Sequence, residues 1–163
     1  IAEVGVYQGL FASKLSQLFP DRTLYLFDTF EGFDKRDFLE SDSEFFNTNK
    51  NKFKDSSLEQ VVKKINSNYL EIRCGYFPDT LKEYDYEQEF AFVSLDADLF
   101  KPIYDGLCFF YPRLARMGYI FVHDYNNMTY PGCKEAVNKF MKENDDVTIV
   151  PLSDGWGTVV ITK

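Results

Sequence analysis

The sequence predicts an α/β fold: a doubly wound, mostly parallel sheet of seven strands with an antiparallel hairpin at its C-terminal end. Two observations carry this. Short, continuously apolar runs alternate with segments whose apolar residues recur at three- and four-residue steps, and such runs are typical of parallel strands covered by helices on both faces. The last two strand-like runs follow each other directly across a turn, as hairpin strands do.

Taken in order, Ile1–Val6, Thr23–Phe27, Tyr69–Cys74, Phe90–Leu95 and Gly118–His123 read as five parallel strands. Leu10–Leu18, Leu58–Ile65, Ile103–Leu114 and Cys133–Glu143 read as helices between and after them. Val147–Pro151 and Thr158–Thr162 flank Ser153-Asp154-Gly155-Trp156-Gly157 and form the hairpin. Residues 31–57 break the rhythm, being polar and charged yet carrying Phe33, Phe38, Phe45, Phe46 and Phe53. A stretch that long in a compact domain is expected to be a lid over a pocket. The chain opens at Ile1 inside an apolar run without an initiator Met, which predicts a further N-terminal segment before one domain spanning 1–163.

Composition narrows the function. With 18 Lys+Arg against 26 Asp+Glu the net charge is −8, so a phosphate-backbone surface is not expected and nucleic acid is a poor partner. No run approaches the eighteen or so apolar residues of a membrane span. Cys74, Cys108 and Cys133 are odd in number, widely spaced and without CxxC, which argues for a reducing, cytoplasmic setting rather than disulfides or a zinc cluster. The 29 aromatic residues (17 Phe, 11 Tyr, 1 Trp) exceed what the strands need, so some should line a pocket.

Three strand ends carry chemistry. Glu3-Val-Gly5-Val-Tyr7-Gln-Gly9 makes a tight strand-to-helix turn, where glycine allows positive φ and close approach of a ligand. It is not the dinucleotide fingerprint, since Tyr7 occupies the second glycine position and would crowd a pyrophosphate. A ligand with an amino-acid carboxylate and a nucleoside without phosphates, such as S-adenosylmethionine, suits it better. Asp28 ends the second strand about twenty residues after that turn, where doubly wound nucleotide sites place a ribose-binding acid. The fourth strand ends in Asp96-Ala97-Asp98 and the fifth in His123-Asp124, a set of oxygen and imidazole donors suited to Mg²⁺ or another hard divalent ion. Each feature also has a plain structural reading: a strand–helix corner, a cap, and acidic strand ends.

These residues, together with Phe19–Gly32, Gly75–Thr80, Ser94–Pro102 and Gly118–Tyr125, give the chain its resemblance to the macrocin O-methyltransferase family. The first turn is also similar to that of catechol O-methyltransferase. The resemblance implies a Rossmann-like methyltransferase sheet and transfer of a methyl group from S-adenosylmethionine to a hydroxyl of a sugar or glycosylated small molecule, with a divalent metal. It implies Gly5, Tyr7 and Gly9 around the methionine part, Asp28 on the ribose and Gly75 to Phe77 near the adenine, with Glu3 and Thr29 in the same cofactor-binding set. It further implies Asp96 and Asp124 as metal ligands and Asp98 as the general base. His123, the single histidine, stands where the family often has a second acidic residue. Three roles are open to it: metal ligand, substrate-orienting or catalytic group, or a hydrogen-bonded histidine at a strand end. A catechol-type O-methyltransferase and an inactive cofactor-binding module are the competing expectations, and a homo-oligomer is compatible with either.

Overall fold

The structure is a computed structural model in which residues 1–38, 47–65 and 67–163 are described. Seven strands, β1 (Ala2–Val4), β2 (Leu24–Asp28), β3 (Leu70–Cys74), β4 (Phe90–Leu95), β5 (Leu114–Val122), β6 (Thr148–Pro151) and β7 (Val159–Thr162), form one sheet in the order β3-β2-β1-β4-β5-β7-β6. The order reverses at β1, as in doubly wound folds. β2 pairs parallel with β3 and β4 with β5, whereas β7 runs antiparallel to both β5 and β6. The expected mostly parallel sheet with a C-terminal hairpin is therefore present.

Among the described residues the sheet is accompanied by helices α1 (Leu10–Leu18), α2 (Leu58–Ile65), α3 (Phe100–Phe110) and α4 (Pro131–Glu143). α1 and α2 begin and end where their apolar periodicity does. α3 starts three residues earlier than the sequence suggested, because Pro102 lies in its first turn, where a missing N–H costs nothing. It also stops at Phe110, so that Leu114 opens β5 rather than closing the helix. β5 thus begins well before Gly118. Three extra residues of β5 are spliced in where Phe90 pairs with Leu114 but Phe92 pairs with Tyr119, and Met117 takes φ +64° there.

The chain gathers into two compact units, one of Ile1 and Glu3–Thr80, the other of Ala2 and Leu81–Lys163. In the first, Leu24, Leu26 and Phe27 of β2 and Leu15 of α1 are fully buried, with Val61 of α2. In the second, Phe90, Leu95, Ile103, Leu107, Phe110, Ile120 and Ile161 form the core, and α3 packs on α4. Each such side chain removed from water contributes about 1.5–3 kcal/mol. These cores hold the strand ends that carry the polar residues.

The segment expected to be a lid is described in two pieces, and residues 39–46, with Phe45 and Phe46, lie outside the described residues. In the described pieces Lys35–Asp37 is a 3-10 turn capped by the Asp34 carboxylate, and Phe33, Phe38 and Phe53 meet edge to face. Phe53 also meets the Tyr7 ring at 5.2 Å, so this segment packs on the glycine turn. Among the described residues no helix is long and apolar enough to cross a membrane.

Candidate active site

In the first unit the turn after β1 is organised by one carboxylate. Asp28 Oδ2 accepts the N–H groups of Val6 (2.6 Å) and Tyr7 (2.9 Å), and Oδ1 accepts that of Phe30 (2.6 Å). Tyr7 sits at φ +50°, a conformation a non-glycine residue adopts only when held there, and Asp28 does the holding. Gly9 follows at φ +71° as the N-cap of α1, where a Cβ would come within 3.0 Å of Val61. Tyr7 donates its hydroxyl to Asp55, which also accepts from Gln8. Glu3 is buried in β1.

The ends of β2 and β3 are latched together. Gly75 N–H donates to the Asp28 carbonyl, and Thr29 donates its hydroxyl to the Gly32 carbonyl and accepts the Glu31 N–H. Arg36 grips Asp34, reaches Asp79 at 2.8 Å and stacks on Tyr76 with 3.6 Å to the ring centroid. Phe77 is buried against Phe27 rather than displayed. A cavity of about 400 Å³ opens beside these residues, lined by Thr29, Glu31, Phe33, Arg36 and Lys54. The turn thus offers backbone groups and one carboxylate to a ligand. Three of the four lone pairs of Asp28 are taken by the chain itself, which leaves one for an incoming hydroxyl.

In the second unit the ends of β4 and β5 bring Asp96, His123 and Asp124 together, with one potential ligand atom from each lying within 4.8 Å of the others. His123 Nδ1 is 3.1 Å from Asp96 Oδ1 and 3.0 Å from Asp124 Oδ2. Hydrogen bonds to Asp124 and Asp96 raise the imidazole pKa to about 10 against the opposing effect of burial. The ring is therefore an imidazolium between two carboxylates, and a divalent cation could replace the shared proton. Two carboxylate oxygens and an imidazole nitrogen are a donor set that suits Mg²⁺, Mn²⁺ or a similar ion, so the residues present fit the metal that the family resemblance implies. Asp124 is almost fully buried; burial pushes its carboxyl pKa up, but hydrogen bonds from His123 and Asn127 outweigh this and hold it below the usual value.

Asp98 does not continue an extended strand. It takes φ +60°, with Leu99 N–H bonded to the Ala97 carbonyl at 2.6 Å, so strand alternation with Asp96 is not what sets its direction. Its side chain hydrogen-bonds to Asp124 instead, and its carbonyl accepts the buried Cys133 thiol at 3.1 Å.

Two neighbours escaped the sequence reading. Asn127 Nδ2 donates to Asp124 Oδ1 at 2.6 Å. Trp156, in the β6–β7 loop, brings its ring to 6.4 Å from that of His123. The only signal for Asn127 was its place three residues after a strand-end Asp, and Trp156 gave none beyond being a lone aromatic in a polar turn.

The sheet order, with the glycine turn at its reversal point, defines the fold of S-adenosylmethionine-dependent class I methyltransferases. The O-methyltransferase NovP superposes over 100% of this chain and 71% of its own with TM-score 0.84 at 24% identity. CalS11, described as a TDP-rhamnose 3'-O-methyltransferase of calicheamicin biosynthesis, covers 99% of this chain and 70% of its own with TM-score 0.66 at 20% identity. The macrocin-O-methyltransferase (TylF) family model matches residues 1–159, and the chain belongs to that family. Mycinamicin III 3''-O-methyltransferase of Micromonospora griseorubida is 29% identical over 154 residues, 86% of this chain. The chain spans about half the length of the curated relatives it matches, 59% of that one and 49% of another.

Proposed function

We propose that the protein transfers a methyl group from S-adenosylmethionine to a hydroxyl of a sugar or glycosylated small molecule, with a divalent ion at Asp96, His123 and Asp124. The observation that carries this reading is the convergence of those three side chains at the ends of β4 and β5, in a chain of the macrocin-O-methyltransferase family. Support for a sugar acceptor comes from the similarity to CalS11, a TDP-rhamnose 3'-O-methyltransferase.

The first unit takes the methyl donor. Gly5, Tyr7 and Gly9 receive its methionine part through backbone groups, with Glu3 behind them in β1. The remaining lone pair of Asp28, with Thr29, meets the ribose, and the backbone of Gly75 to Phe77 borders the adenine. The second unit takes the acceptor. A divalent ion held by the three side chains would lower the pKa of an acceptor hydroxyl and fix its direction. Asp98 would accept the hydroxyl proton. The C–S bond to the sulfonium breaks as the new C–O bond forms, and the proton leaves on Asp98. The aromatic segment around Phe33 and Phe53 covers the glycine turn and shields the bound methyl donor from water.

The test is mass-spectrometric detection of labelled methyl from S-adenosylmethionine on a panel of glycosides, nucleotide sugars and phenols. Label on a sugar oxygen supports the reading. Label confined to phenols would instead make the protein a catechol-type enzyme, and binding of the donor without any transfer would leave a cofactor-binding module.

A further inference from the structure

We infer that Trp156 is the acceptor platform: an indole face against which the C–H face of a pyranose ring stacks while its hydroxyls reach the Asp96, His123 and Asp124 cluster. The inference rests on the proposed sugar acceptor and adds the residue that selects for it.

The β6–β7 loop is built to hold this side chain in place. Asp154 Oδ1 accepts the N–H groups of Trp156 (3.2 Å) and Thr158 (3.0 Å) as well as that of Gly157. Gly157 takes φ +77°, and a Cβ there would fall 2.6 Å from Cβ of Asn126, so the loop lies directly on the chain two residues past Asp124. Asn126 N–H donates to the Gly157 carbonyl at 3.1 Å, and Lys134 Nζ pins the Asn126 amide at 3.1 Å. The indole that this scaffold carries is 63% exposed. A single exposed aromatic residue is ordinary on a protein surface. One anchored on both sides of its backbone, tilted 42° to the ring of His123 and 6.4 Å from it, is placed at the polar cluster.

The chemistry matches a sugar. A pyranose presents an apolar face of C–H groups and a rim of hydroxyls, so it needs a flat apolar surface next to oxygen and nitrogen donors and acceptors. Tryptophan supplies such a surface with few rotatable bonds to immobilise. The carboxylates and imidazole beside it supply the rim.

The single tryptophan of the chain gives a direct readout. The full chain is titrated with TDP-rhamnose, with methyl α-rhamnopyranoside and with catechol while indole emission is followed, and acceptor KM and kcat are measured for Trp156→Ala and Trp156→Phe. Saturable change of emission with the two sugars and a weaker response to catechol is expected. Loss of a stacked face should raise the acceptor KM of Trp156→Ala roughly tenfold or more, with kcat and S-adenosylmethionine affinity little changed, and Trp156→Phe should restore most of it. Normal S-adenosylmethionine affinity in Trp156→Ala confirms that the variant is folded. If sugars change the emission but no methyl is transferred, the platform stands and the proposed activity fails. If methyl transfer to sugars occurs and Trp156→Ala keeps the wild-type KM, the activity stands and the platform is overturned. No emission change with either sugar also overturns it.

Discussion

Asn127 donates its side-chain N–H to Asp124 Oδ1 at 2.6 Å, leaving Oδ2 of the same carboxylate to face His123 at 3.0 Å. Asn127 is itself fixed, since its Oδ1 accepts the Thr129 N–H and its backbone N–H returns to the Asp124 carbonyl. One oxygen of Asp124 thus accepts from Asn127, which fixes the carboxylate's orientation, and the other faces the cluster through His123. Groups that orient metal ligands in this way change metal affinity by roughly 10–100-fold when removed. Asn127→Ala should weaken Mn²⁺ binding by that order, read by the Mn²⁺ resonance signal. Unchanged affinity in the variant, with the wild type binding normally, would show that Asn127 orients nothing of consequence.

Asp28 is expected to matter for the shape of the donor site as much as for contact with the donor. Asp28→Ala leaves the part-buried N–H groups of Val6 and Phe30 and the exposed N–H of Tyr7 without their acceptor, and a buried group left unmatched costs about 1–3 kcal/mol. Both the unfolding midpoint and the calorimetric affinity for S-adenosylmethionine should fall. Asp28→Asn, which keeps one carbonyl oxygen, should recover part of the stability. Affinity lost with stability untouched would place Asp28 on the ribose alone.

Asp98→Asn keeps the backbone turn and the Cys133 contact but cannot take a proton. The rate should drop by roughly two to four orders of magnitude, while S-adenosylmethionine and metal affinities stay near wild type in calorimetry. If the variant turns over normally and His123→Ala does not, the proton goes to His123 instead.

The loop under Trp156 should be sensitive to acid. The Thr158 hydroxyl and the backbone N–H groups of Thr158, Gly157 and Trp156 lower the Asp154 carboxyl pKa from 3.8 to about 2. A lowered folded pKa means stability that is fully present above the unfolded value of 3.8 and is lost as pH falls from there through about 2. Asp154→Asn should flatten the acid limb of the stability profile between those values, followed by circular dichroism. It should also lower the indole fluorescence anisotropy at neutral pH. An acid limb identical to wild type would assign the loop's order to the Gly157–Asn126 contact alone.

The strand alternation and the three polar strand ends were legible in the sequence because burial on both faces demands continuous apolar runs such as Phe90–Leu95, and the polar residues follow them directly. The start of β5 was not, since Ala115-Arg116-Met117-Gly118 breaks the apolar run and is accommodated by a bulge that depends on its partner strand. The left-handed turn at Asp98 was not legible either, because tertiary partners, Asp124 and Cys133, set it. That Asp28 is engaged by its own backbone, and that Asn127 and Trp156 stand beside the cluster, follows from loop geometry, which has no periodic signature.

Metal-dependent methylation of a sugar is tested most directly by the initial rate of radiolabelled methyl transfer to a sugar acceptor by protein stripped with EDTA, measured as Mg²⁺ is added back. Stripped protein should transfer nothing, the rate should rise saturably with Mg²⁺, and Asp96→Asn should lose that rise. Full-rate transfer in excess EDTA, unaffected by Asp96→Asn, would contradict metal dependence.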